Sequence, residues 1–190
     1  MTDVEVPAAP AAVRTPAGVA RGLLKTTPGR SIDYDFVAAE VQAFCAVHDV
    51  EGMAFDPAHI DDFRKACERI GFDTWIWEPD EPAGRGLKMI VHGQGRAGMH
   101  SKKALWMPRS LGQYEDLILT HQIVIDENPI TKWCTANCAV KPDEFGNRYL
   151  VKRLTRGHID GTVAGAMSAG AALADLDEPG GISMFFLGAA

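Results

Sequence analysis

A chain of 190 residues with 46% hydrophobic content can bury one good core, and a formal net charge of −6 excludes a protein that coats nucleic acid indiscriminately. The four cysteines, Cys45, Cys67, Cys134 and Cys138, show no disulfide-framework spacing, which points to a reduced, cytoplasmic chain. There is no basic segment followed by an apolar run of the signal-peptide kind, and the Ala/Gly-rich stretch from Gly161 to Ala174 is too short to span a bilayer, so no membrane partner is expected.

The first residues, 1–20, are rich in Ala, Pro and Val without periodicity and read as a disordered leader. An ordered domain over 21–174 is expected to open with a short strand from Gly22 and a turn at Pro28-Gly29. Ser31 is then expected to cap a helix that carries Phe36, Val37, Val41, Phe44 and Val47 at helical spacing. A buried strand through Met53, Ala54 and Phe55 ends on Asp56. Pro57 suits a first helical position, and Ile60, Phe63, Cys67 and Ile70 continue with helical period. A second apolar strand, Thr74-Trp-Ile-Trp77, completes an alternating pattern that indicates an α/β fold.

The middle of the chain, from Glu78 to Ser101, reads as a glycine-rich connection. No acid falls between Pro82 and Tyr114, whereas Arg85, Lys88, Arg96, Lys102, Lys103 and Arg109 all do, which makes a basic surface on an acidic protein or a solvated loop. Gly93-Gln-Gly-Arg-Ala-Gly is not read as a dinucleotide fingerprint, because no strand-to-helix connection with a following acid is recognisable around it. No Gly-Lys-Ser/Thr phosphate loop is present either. Beyond Pro108 a helix with Leu111, Tyr114, Leu117 and Ile118 is expected, then a strand at Ile123-Val-Ile. A helix from Pro129 should pack Ile130, Trp133, Cys134 and Cys138. Cys134 and Cys138 lack a second pair at zinc-site spacing and are assigned to packing.

Two acids stand at element ends. Asp56 follows a strand, where open α/β sheets place their chemistry, and can equally be the cap of the next helix. Asp160 opens a helix whose Gly161, Ala164, Gly165 and Ala169 suit close backbone packing, and an acid there is also favoured by the helix dipole. Two rigidly held carboxylates are the donor type that Mg²⁺ or Mn²⁺ takes. His158 beside Asp160 is a candidate for proton transfer or an ordinary polar residue ahead of the helix. After Asp175 the tail, 175–190, ends in the apolar run Ile182-Ser-Met-Phe-Phe-Leu.

The order Asp56-Pro, His92-Gly-Gln-Gly, Glu127-Asn-Pro-Ile-Thr-Lys-Trp-Cys-Thr-Ala-Asn, Asp143-Glu-Phe-Gly-Asn and His158-Ile-Asp-Gly-Thr-Val-Ala resembles the nuclease domain of tailed-phage terminase large subunits, from about Leu23 to Ala174. The resemblance implies a ribonuclease H-like fold and a two-metal-ion (Mg²⁺ or Mn²⁺) endonuclease that cuts double-stranded DNA during packaging in the bacterial host. Asp56 and Asp160 would be metal-binding and catalytic acids, assisted by His158. Arg85, Lys88, Arg96, Lys102 and Lys103 would hold the DNA backbone. Partners would include the rest of the large subunit, the small terminase and the portal. One departure is clear: the family's first acid, on an opening strand, has no counterpart here, and Asp3 is poorly placed to replace it. The fold then reads as incomplete, a C-terminal fragment without the ATPase motor and with little or no cutting of its own. The competing class is a non-catalytic prophage remnant or DNA- or partner-binding module.

Overall fold

The computed structural model of the protein describes residues 19, 21–27, 31–58, 60–78, 84–94, 105–125, 127–152 and 157–174. The expected leader apart from Val19, the Pro28-Gly29 turn, the tail 175–190, Asp3, Arg96, Lys102 and Lys103 lie outside the described residues. In chain order the elements are α1 (Tyr34–Val47), β1 (Met53–Phe55), α2 (Ile60–Arg69), β2 (Thr74–Ile76), β3 (Leu87–Gly93) and β4 (Leu105–Trp106). They continue as α3 (Met107–Leu119), α4 (Pro129–Asn137), β5 (Cys138–Pro142), β6 (Arg148–Lys152) and α5 (Asp160–Ala174).

The longest strand, β3, gathers the others. β1 pairs with it in parallel from Met53 opposite Met89 to Phe55 opposite Val91. β2 pairs in parallel from Thr74 opposite Leu87, and β4 pairs in parallel from Leu105 opposite His92. The expected α/β class therefore holds as a mixed fold with a parallel sheet. The central place among the described strands belongs to β3, which lies in the stretch that sequence reading treated as a loop. Its signal was the short apolar run Leu87, Met89, Ile90 and Val91 between Gly86 and Gly93, which suits a strand covered on both faces.

Strand alternation sends side chains to two layers. Met53, Phe55 and Met89 face Ala38 of α1 and Phe63, Ala66 and Cys67 of α2. Ala54 and Ile90 face the opposite layer, where α3 and α5 meet through Tyr114, Leu117, Ala166 and Ala169, with Leu105 and Ala171 close by. The small residues of α5 let it lie close: a Cβ at Gly165 would stand 2.9 Å from the Tyr114 hydroxyl, and one at Gly170 only 1.9 Å from Ser110 Oγ. Of the residues expected on that packed face, Gly165 and Ala169 lie there, joined by Gly170, whereas Gly161 and Ala164 are exposed.

Several local expectations are corrected. Residues 21–27 form no strand, and Lys25 instead pairs with Glu40 of α1. α1 is capped by Asp33, whose carboxylate accepts from the N–H groups of Asp35 and Phe36, rather than by Ser31, and Val47 is exposed at its last turn. α2 starts at Ile60, not Pro57. Ile123-Val-Ile is not a strand: Ile123 and Ile125 tuck against α3 and α5 and Val124 points to solvent, so the alternation is satisfied by packing without a ladder. Cys138 opens β5 rather than continuing α4, and β5 pairs with β6 in an antiparallel hairpin. Among the described residues no helix is long and apolar enough to cross a membrane.

Candidate active site

The parallel register fixes one edge of the sheet. Phe55 stands opposite Val91, so the next residues, Asp56 and His92, lie side by side at the carboxyl ends of β1 and β3, on the face that Ala54 and Ile90 turn to α5. Asp56 is half-buried, and its Oδ1 accepts the N–H of Ala58 at 2.9 Å. Asp56 thus closes a turn ahead of α2, which begins only at Ile60, rather than capping that helix, and the turn engages one carboxylate oxygen.

His92 is wholly buried. Its Nε2 lies 2.8 Å from Ser110 Oγ on α3, and its Nδ1 has no hydrogen-bond partner. Burial pushes the imidazole below its ordinary range, against hydrogen bonding at the backbone of Gly93 and His92 and the nearby charge of Asp56. Sequence reading quoted His92 and Asn137 without giving either a role. A histidine that ends an apolar run just before a glycine was the only available signal for the first, and an amide in the last turn of a helix for the second.

α5 crosses the sheet against the strand direction. Gly170 abuts His92, and three residues earlier Met167 Sδ receives the side-chain amide of Gln94, two residues further along the chain from His92. The first residues of α5 therefore lie beyond the carboxyl ends of the strands, and Asp160 stands on the same side of the sheet as Asp56. Its carboxylate is 81% exposed and pairs with His158, Nδ1 to Oδ2 at 3.4 Å. His158 in turn faces the Trp133 ring, with centroids 5.6 Å apart. Behind the acid, burial raises the Cys134 thiol and the Asp160 charge adds to the rise. Among the described residues no three His, Cys, Asp or Glu side chains come together as a metal-binding group.

The basic residues divide. Arg85 is paired with Asp73 at 2.7 Å and precedes β3, and Lys88 sits at the start of that strand, level with Gly52 and Trp75. Four strand residues, roughly 13 Å, separate Lys88 from His92. The structure thus sets Arg85 and Lys88 toward the amino end of β3, away from the two acids. Arg96, Lys102 and Lys103 belong to the connection that leaves β3 after Gly93 and returns at Leu105 opposite His92, so both its ends lie at the acid-bearing edge.

No family model matches the chain. A terminase large subunit of Enterobacteria phage HK97 is 36% identical over 163 residues, covering 86% of this chain. A crystal structure of the HK97 bacteriophage large terminase superposes with a TM-score of 0.67 at 34% identity, covering 84% of this chain and 29% of that one. Motif order, sequence and fold agree, and the chain is a homologue of the phage terminase large subunit, spanning 28% of the length of the relative it matches.

Proposed function

We propose that this chain is the metal-dependent DNA endonuclease region of a phage DNA-packaging terminase, of ribonuclease H-like fold, with Asp56 and Asp160 as its metal-binding acids. The reading is supported by Asp56 following β1 at the carboxyl end of the parallel sheet and by the course of α5, whose Asp160 end runs from Met167 toward that side of the sheet, inside a stretch homologous to a terminase large subunit. Oxygen donors in this number suit Mg²⁺ or Mn²⁺, which take one or two carboxylates and leave remaining positions to water and substrate phosphate. Bound there, such ions would activate water and stabilise the leaving oxygen of phosphodiester cleavage.

The chain's own residues have distinct tasks in this reading. Asp160 presents a solvent-facing carboxylate on a rigid helix start. Asp56, tied through Oδ1 to Ala58, offers its other oxygen. His158 stands beside Asp160, placed to assist the chemistry there. The connection 94–104 supplies phosphate contacts from Arg96, Lys102 and Lys103, while Arg85 and Lys88 serve DNA passing the opposite edge. Partners are double-stranded DNA and the remaining packaging machinery.

Titration with Mn²⁺ by calorimetry tests the reading. The unaltered chain is expected to bind Mn²⁺ weakly, and Asp56→Ala and Asp160→Asn should each reduce the affinity by about tenfold or more. Equal binding by all three proteins would remove these acids from the site.

A further inference from the structure

The backbone that carries Asp160 onto α5 is gripped from one side by α4. The side-chain amide of Asn137, itself buried, donates to the carbonyl oxygen of His158 at 3.3 Å. Gly157 lies so close that a Cβ there would stand 3.1 Å from Asn137 Cγ. The Trp133 ring meets the His158 ring, and Thr135 Oγ1 lies 3.1 Å from Thr162 Oγ1. Cys134 backs Gly161, where an added Cβ would sit 3.6 Å from the thiol sulfur. These contacts take hold of the chain before Asp160 and after it, while the carboxylate itself stays exposed.

Such an arrangement differs from ordinary helix packing. A buried side-chain amide has to be hydrogen-bonded to be tolerated, and an apolar residue at the same place would serve simple packing better. Asn137 spends its donor on a main-chain carbonyl two residues ahead of Asp160. Its position at the last turn of α4, immediately before β5, ties that carbonyl to two rigid elements at once. Trp133, one turn earlier, flanks the histidine that pairs with the acid.

We propose that α4 is a clamp that sets the position of Asp160, with Asn137 as the positioning residue through which it acts. The role assigned to Asp160 rests on the nuclease reading, whereas the clamp itself can be examined without it. Asn137→Leu keeps the approximate volume and removes the donor. Gly157→Ala disturbs the same junction from the other side and serves if the first variant does not fold. Leu173→Ala loosens the packing of the last turn of α5, away from the acids, and is the control for general loosening of the helix.

Two measurements decide the matter on each protein with its melting temperature known. In NMR spectra, nuclear Overhauser contacts and ring-current shifts between Trp133 and His158 should disappear in Asn137→Leu and Gly157→Ala and persist in Leu173→Ala. In calorimetry, Mn²⁺ affinity should fall about tenfold in the first two and remain in the control, the size of effect expected for a group that orients a ligand. Retention of the ring contacts in both junction variants would overturn the clamp. So would an equal loss of Mn²⁺ affinity in Leu173→Ala at matched stability. Failure of the unaltered chain to bind Mn²⁺ would sink the nuclease reading alone, and the ring contacts would still decide the clamp.

Discussion

At the scale of single residues, His92 shows how position shifts a titratable group. It faces Ser110 from α3, Gly170 from α5 and the charge of Asp56 beside β1, and burial is the main cause of its lowered pKa. The consequence for stability has a definite sign. Below the ordinary value of 6.5 the unfolded chain takes up a proton that the folded chain refuses. Stability therefore falls as pH drops from 6.5 toward the depressed folded value, then levels off as far as this group is concerned. His92→Gln should remove that limb, as urea midpoints measured between pH 7 and pH 5 would reveal; an unchanged slope would assign the acid sensitivity elsewhere. The two acids were legible in the sequence because each follows or opens a recognisable element. His92 and Asn137 were not, since their roles depend on residues far along the chain, Ser110 and Gly170 for the first and His158 for the second.

At the scale of elements, helices with strong caps and periodic faces were readable and strands were less so. α4 is capped by Asn128, whose side chain accepts the N–H of Ile130 at 2.8 Å, followed by Pro129 in the first turn, and its start lies where the sequence places it, near Pro129. β3 was missed because its cover comes from both faces, which leaves no alternation to see, and its basic neighbours suggested a loop. The β5–β6 hairpin was missed for another reason: its turn is built by a side chain. Asp143 Oδ1 accepts from the N–H groups of Phe145 and Asn147, and Oδ2 from the amide of Asn147 and the hydroxyl of Tyr149. These donors, Asn147 foremost, hold the Asp143 carboxyl below its usual range. The end of α3 carries a measurable cost: His121 adopts φ 56° there, while the Gln122 N–H bonds back to Leu117 O at 2.9 Å. That left-handed position favours glycine. His121→Gly is expected to stabilise the protein by about 0.5–1 kcal/mol; a lower melting temperature in the variant would show that the exposed imidazole makes a contribution exceeding the strain.

At the scale of the whole molecule, the parallel sheet separates two edges of different character. One lies at the end of β1, where Asp56 follows, with the strand end at Gly93 and the start of β4 beside it; the other carries Lys88 and the Arg85–Asp73 pair. The hairpin stands apart from the sheet and is joined to α3 by the Arg148–Glu115 ion pair at 2.6 Å. This division has a kinetic consequence. Every ladder on β3 is parallel and closes a long loop, as when Met53 meets Met89, whereas the hairpin needs only Pro142 to meet Arg148 across a turn that Asp143 already shapes. Loop closure costs entropy that grows with separation, so local contacts form first. In pulse-labelling hydrogen exchange during refolding, amides of β5 and β6 should gain protection before those of β1 and β3. Simultaneous protection of all four would mean that the hairpin waits for the sheet, and that the acid-bearing edge and the turn of Asp143 form in a single cooperative step.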